Sequence, residues 1–183
     1  NQPLSGAQLI ELYQSVDCFV LPTRGEGWGM PILEAMACGV PAIATDWSAP
    51  TTFLHAQNGY PLPIRRLAAT GSAAAHYRDA QWAVPDEAAL VELLRRAVRN
   101  PDERVALGRA ARQEAEGKAV GGACRHSGCA IEDCYAIYHW LQKAAIFAGW
   151  QEMDAYMRTN KIEEVEPQLP PPEPPGTRRT VKA

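Results

Sequence analysis

Apolar positions recur along this chain with two different periods. Over residues 5–15, SGAQLIELYQS, Leu9, Ile10, Leu12 and Tyr13 follow a helical pattern that Ser5 can cap. DCFVLP, residues 17–22, is instead a short continuous apolar run ended by Pro22, which predicts a buried strand. In PILEAMACG, Pro31 suits the first turn of a helix and Gly39 the left-handed position after its end. VPAIAT, residues 40–45, reads as a second buried strand, and SAPTTFLHA as a further helix starting with Ser48 or Ala49 near its cap. Strand and helix alternating at this spacing predict a parallel sheet with helices on its faces.

The pattern then loosens. NGYPLPI predicts a turn and a short extended segment, and LAATGSAAAHYRDAQWAVPD, residues 67–86, reads mostly as loop. Two helices follow, one capped by Asp86 and one after Pro101. Glycines across residues 117–129 interrupt the second, and residues 130–156 return to helix with Ile131, Tyr135, Tyr138, Leu141, Ala145 and Ala148 on one face, a packing stripe. PQLPPPEPPGTRRTVKA is too rich in proline to pack a core and is expected to be disordered or extended. The expected fold class is α/β, a partial Rossmann-like parallel sheet with flanking helices, then a helical C-terminal region. Its parts are residues 1–116, the portion that carries the sheet; 117–160, a helical extension; and 161–183, the proline-rich tail. Two strands and a third extended segment are few for a doubly wound sheet, so strands are expected to be missing on the N-terminal side. The chain starts with Asn1 rather than methionine and reads like a cut.

Composition narrows the functional classes. The 183 residues carry a net charge of −3, with no basic run longer than Arg65–Arg66 or Arg178–Arg179, which argues against nucleic acid as a partner. No apolar stretch has the length of a membrane span. Cys18 and Cys38 sit in apolar runs and read as reduced core residues of a cytoplasmic protein. Cys124, Cys129 and Cys134 lie near His126 in CRHSGCAIEDC, where helix-lining cysteines are favoured over a zinc site, which wants four ligands in tighter pairs.

The densest stretch is TRGEGWGMPILEAMACGVPAIATD, residues 23–46. Its loop lies where the first strand of the stretch ends and a helix begins, and ligands of open parallel sheets bind beyond the carboxyl ends of the strands. The helix start offers amides of Met30, Ile32 and Leu33 and the positive end of a dipole to a phosphate or a sugar hydroxyl. Gly27 and Gly29 let backbone approach a ligand closely. Glu34, one turn into the helix, can take the vicinal hydroxyls of a ribose, and Glu26 those of a second sugar. The bland alternatives are a common glycine turn, Glu34 as an early-helix carboxylate and Trp28 as a packed loop residue.

The segment ELYQSVDCFVLPTRGEGWGMPILEAMACGVPAIATD resembles the donor-site signature of the retaining GT-B glycosyltransferases (glycosyl transferases group 1, family 4-like). Two glutamates separated by seven residues are that family's hallmark, and Glu26 and Glu34 match it, as does Gly27-Trp28-Gly29-Met30-Pro31 between them. The likeness extends over residues 4–116, including NPDERVALGRAARQEAE. It implies transfer of a sugar from a nucleotide-diphosphate sugar to a saccharide, lipid or small-molecule acceptor, with retention and without metal or other cofactor. Glu26 would be the catalytic-site group touching the transferred sugar, Glu34 would bind the ribose, and the amides of residues 29–33 other than Pro31 would meet sugar and diphosphate. Trp47 and Ser48 follow the next strand and are weaker candidates for the same crevice, with Trp47 favoured as a packed residue. The acceptor domain and the basic pair that neutralises the diphosphate have no counterpart here, Arg24 not corresponding to that pair. An acceptor domain acting in trans is therefore among the expected partners, and the full-length parent is expected in the cytoplasm or peripheral at a membrane. A non-catalytic nucleotide-sugar-binding subunit and an interaction module using the proline-rich tail are the alternatives.

Overall fold

A computed structural model of the chain describes residues 3–71, 80–171 and 174. It comprises two compact units, Asn1–Ala115 and Glu116–Ala183.

In the first unit, β1 (Phe19–Leu21), β2 (Ala42–Thr45) and β3 (Tyr60–Leu62) form a parallel sheet in the order β1-β2-β3. Phe19 pairs with Ala42 and Leu21 with Ala44, while Ile43 pairs with Tyr60 and Thr45 with Leu62. Every residue of β2 is buried. Ala42 and Ala44 pack with Ile32 and Met36 of α2 (Met30–Ala37) and with Phe53, Leu54 and Ala111. Ile43, pointing the other way, packs with Tyr60, Leu62, Ala97 and Leu107. These last two belong to α3 (Glu87–Arg99) and α4 (Pro101–His126). The two-residue alternation of a strand thus requires apolar cover on both faces, and helices supply it.

Local signals place the helix ends. Ser5 and Gln8 form a reciprocal capping box at α1 (Gly6–Gln14), and the Asp86 carboxylate accepts from the Ala88 and Ala89 amides at α3. Pro31 lies in the first turn of α2, and Gly39 beyond its end takes φ 77°.

Several expectations are corrected. Both ends of the stretch 67–86, expected to be mostly loop, are strand: β4 (Ile64–Ala69) and β5 (Gln81–Pro85) pair antiparallel. Alanines at 68, 69 and 83 have weak strand preference, and the pairing draws instead on burial of Ala83 and its amide bond to the Arg24 carbonyl at 2.9 Å. The middle of that stretch, residues 72–79, lies outside the described residues. The helix expected from Ser48 is a single 3-10 turn, Ala49–Thr52, whose preceding serine makes no side-chain cap.

The glycines of residues 117–129 do not break α4, which runs unbroken to His126. In the second unit they permit contact between backbones: a Cβ on Gly121 would overlap the Ile146 carbonyl oxygen, and one on Gly149 the Lys118 carbonyl oxygen. Helix propensity is therefore overridden by packing of α4 against α6 (Lys143–Asn160). The continuous helix expected over 130–156 is divided into α5 (Ile131–Ile137) and α6. Its predicted stripe does pack, with Ile131, Tyr135, Tyr138 and Leu141 around Cys124, Cys134 and Ile146. Cys124 and Cys134 are joined as a disulfide, Cα atoms 6.2 Å apart, rather than lining the helices as thiols; Cys18, Cys38 and Cys129 are free.

Ion pairs of this unit include Lys118 with Glu152 at 2.6 Å and Arg125 with Asp154 and Glu164 at 2.7 and 2.6 Å. Residues 162–171 form no helix or strand, and the remaining tail expected to be disordered lies, Pro174 apart, outside the described residues. Among the described residues no helix is long and apolar enough to cross a membrane.

The two glycine classes in α4 behave oppositely under substitution. Gly121→Ala is expected to destabilise the second unit by about 1–3 kcal/mol through overpacking against backbone. Gly122→Ala meets only ordinary contacts at 3.6 Å and beyond, and is expected to be neutral or stabilising. Denaturant melts of the two variants check this contrast.

Candidate functional site

The parallel register sets the carboxyl ends of β1 and β2 side by side, so the chain leaving β1 runs next to the chain leaving β2. The Thr45 hydroxyl donates to the Thr23 carbonyl at 2.6 Å, fastening the two exits together. From there the loop passes Arg24, Gly25, Glu26, Gly27 and Trp28 before entering α2 at Gly29. Arg24 is held against β5, accepting from the Ala83 amide and donating through Nε to the Ala83 carbonyl at 3.4 Å. Gly25 faces the Trp82 ring at 3.5 Å from where a Cβ would stand.

Gly29 caps α2 in the left-handed region, at φ 85°, and a Cβ there would press on Ile32, Pro50 and Phe53. Only glycine fits both demands. The amides of Gly27, Gly29 and Met30 have no acceptor among the described residues, and they gather at the positive end of the α2 dipole. The amides of Ile32 and Leu33, expected to be free, donate instead to the Gly29 carbonyl at 2.9 and 3.2 Å. With Gly29 as the cap these belong to the intrahelical ladder, and the Ile32 side chain is fully buried in the core. Their contribution is to hold the turn.

Trp28 is 41% exposed and Met30 53% exposed, so neither is packed away. The Glu26 carboxylate, half-buried, has no partner among the described residues. Its backbone is fixed instead: the Glu26 amide donates to Ser48 Oγ at 3.1 Å, and Ser48 Oγ donates to the Glu26 carbonyl at 2.6 Å.

Glu34 differs. The Tyr13 hydroxyl donates to its Oε2 at 2.8 Å, leaving Oε1 for a ligand. Tyr13, buried on α1 and edge-on to Phe19 at 5.7 Å, was legible from sequence only as a core position. Burial, then the hydrogen bond and charge of Glu34, pushes its phenol up to about 12. The structure thus places Glu26, Gly27, Trp28, Gly29, Met30 and Glu34 along one loop-to-helix junction.

A parallel sheet flanked by helices, with a glycine-rich loop between a strand end and a helix start, places the first unit in the α/β class. The sequence profile of the family glycosyl transferases group 1 matches residues 3–100, and the chain belongs to that family. It is 32% identical over 81 residues to the D-inositol 3-phosphate glycosyltransferase of Actinosynnema mirum, a match covering 44% of this chain and 17% of that relative. It is 57% identical over 37 residues to the lipopolysaccharide core biosynthesis mannosyltransferase LpsB of Rhizobium meliloti, covering 20% of this chain and 10% of that protein. A solved sucrose-phosphate synthase from Thermosynechococcus elongatus aligns with a TM-score of 0.47 and 19% identity over 82% of this chain and 27% of its own, too loosely to bear on the site. The matched segments are thus small fractions of the relatives' lengths.

Tyr13→Phe is expected to cost about 1–3 kcal/mol near neutral pH, the range for a hydrogen bond to a charged group. The raised phenol gives the sign of the pH dependence. Above the ordinary value of 10.0 the unfolded phenol ionises while the folded one keeps its proton, so the stabilisation is complete below that pH and fades towards about 12. Denaturation of wild type and variant across this window should show a constant gap that narrows only at the alkaline end.

Proposed function

We propose that this chain supplies the donor-binding half of a retaining, metal-independent GT-B glycosyltransferase that moves a sugar from a nucleotide-diphosphate sugar to a saccharide, lipid or small-molecule acceptor. The observation that carries the reading is that unengaged amides at Gly27, Gly29 and Met30 share one loop-to-helix junction with two carboxylates of different kinds. A diphosphate suits the amides and the α2 dipole, which meet the charge that develops as it leaves. Glu34, oriented by Tyr13, suits a ribose hydroxyl through Oε1. Glu26, unpaired at its carboxylate and fixed at its peptide, suits the hydroxyls of the transferred sugar. Trp28 lies between them in the chain and offers an exposed ring to the donor.

Transfer also requires an acceptor held against the donor, and positioning supplies a large part of such rates. An acceptor domain outside this chain completes the proposal, in keeping with the small share of its relatives' length that the chain matches.

Thermal unfolding with millimolar uridine, guanosine and adenosine diphosphates and their sugar conjugates tests the reading. One base is expected to raise the first unit's transition, by about 2.7 kcal/mol when ligand stands at a hundredfold its Kd. Glu34→Ala is expected to remove most of that rise, read against the variant's own unliganded melt, which falls with loss of the Tyr13 hydrogen bond. A transition indifferent to every nucleotide contradicts the proposal.

A further inference from the structure

Ser48 has φ 61° and ψ −146°, a conformation that residues other than glycine rarely adopt. Its position before the 3-10 turn would ordinarily direct the hydroxyl to that turn's amides, yet no such cap forms. The hydroxyl reaches across 22 positions of sequence and holds the two peptides that flank one Cα, accepting from the Glu26 amide and donating to the Glu26 carbonyl. The hydroxyl thereby gives its one donor and one of its two acceptor sites to one residue. The Ser48 carbonyl is meanwhile held by the Thr51 hydroxyl at 2.7 Å, so the clamp stands on an anchored base.

This arrangement has a directional consequence. Gly25 and Gly27 flank Glu26 and leave its peptide otherwise free to rotate. Fixing both the amide and the carbonyl fixes the Cα–Cβ direction, hence the origin and sector from which the carboxylate can reach a ligand. We propose that Ser48 is a positioning residue that aims the Glu26 carboxylate at the sugar of the donor, with backbone strain at Ser48 as the cost of that aim. The proposal rests on the donor-site reading above and deepens it: Ser48 governs recognition of the sugar, whereas Glu34 serves the nucleoside end.

Ser48→Gly and Ser48→Ala separate strain from clamp. Both remove the hydroxyl, but only glycine relieves the backbone. In the full chain, Ser48→Gly is expected to melt no lower than wild type, while Ser48→Ala melts lower. In both, the Glu26 amide should exchange with solvent about tenfold faster, and affinity for the bound sugar nucleotide (UDP-glucose, GDP-mannose or ADP-glucose) should fall about tenfold, the scale expected for loss of a pair of hydrogen bonds. Affinity for the matching nucleoside diphosphate without its sugar should change by less than about twofold, an effect that general loosening of the loop would not produce. Wild-type sugar-nucleotide affinity in Ser48→Gly, equal losses for ligands with and without the sugar, or unchanged Glu26 exchange overturns the role of Ser48 alone. If wild type binds none of these probes, the donor-site reading fails, and the proposed role of Ser48 fails with it.

Discussion

The first unit depends on the burial of β2. A strand apolar at Ala42, Ile43 and Ala44 and fully covered at all four positions cannot stand at an edge or expose one face. It takes a neighbour on each side, β1 and β3, and a helical layer on each face. Parallel pairing then brings the exits of β1 and β2 together at one end of the sheet, and the Thr45–Thr23 bond records how closely they meet. The glycine loop is placed by this constraint before any of its own residues contributes. Burial of Ile32 and Met36 under the same sheet sets the start of α2 against that end.

On this frame the two glutamates are prepared in different ways. Glu34 sits in a helix and has one oxygen already committed to Tyr13, which orients it and narrows what it can accept. Glu26 sits between glycines, with its peptide gripped and its carboxylate open. One group is fixed through its side chain and the other through its backbone. Between them the amides of Gly27, Gly29 and Met30 remain unengaged because the cap at Gly29 is left-handed and offers no side chain to satisfy them. Unengaged donors at a helix start favour an anion.

Much of this was legible in the sequence because it depends on local chemistry. Pro31, Gly39, Asp86 and Ser5 punctuate helices through rules that act over a few residues, and the short apolar runs mark both strands, although only β2 is buried on both faces while β1, expected to be buried, leaves Val20 exposed. What escaped depends on long-range contact. The β4–β5 hairpin looks like loop because its alanines and arginines lack strand preference, and its pairing with Arg24 is visible only in space. Gly117, Gly121 and Gly122 look like helix breakers, but α6 packs onto that glycine face. Cys124 and Cys134 bond across ten positions, where spacing alone favoured three helix-lining cysteines. At the site, the loop and its glutamates were legible, whereas the Tyr13 and Ser48 contacts were not, since neither lies near its partner in sequence. The free amides at Ile32 and Leu33 were misjudged by one turn register: once Gly29 is the cap, they belong to the helix.

The central claim is that the junction between this loop and α2 receives a nucleotide diphosphate. Mapping amide resonances of the isotopically labelled chain during titration with nucleoside diphosphates tests it most directly. The largest shifts are expected at Gly27, Gly29 and Met30, with smaller ones spreading through Glu34 and Tyr13. Saturable shifts elsewhere in the chain while those three amides stay still, or no shift at millimolar ligand, would contradict the account.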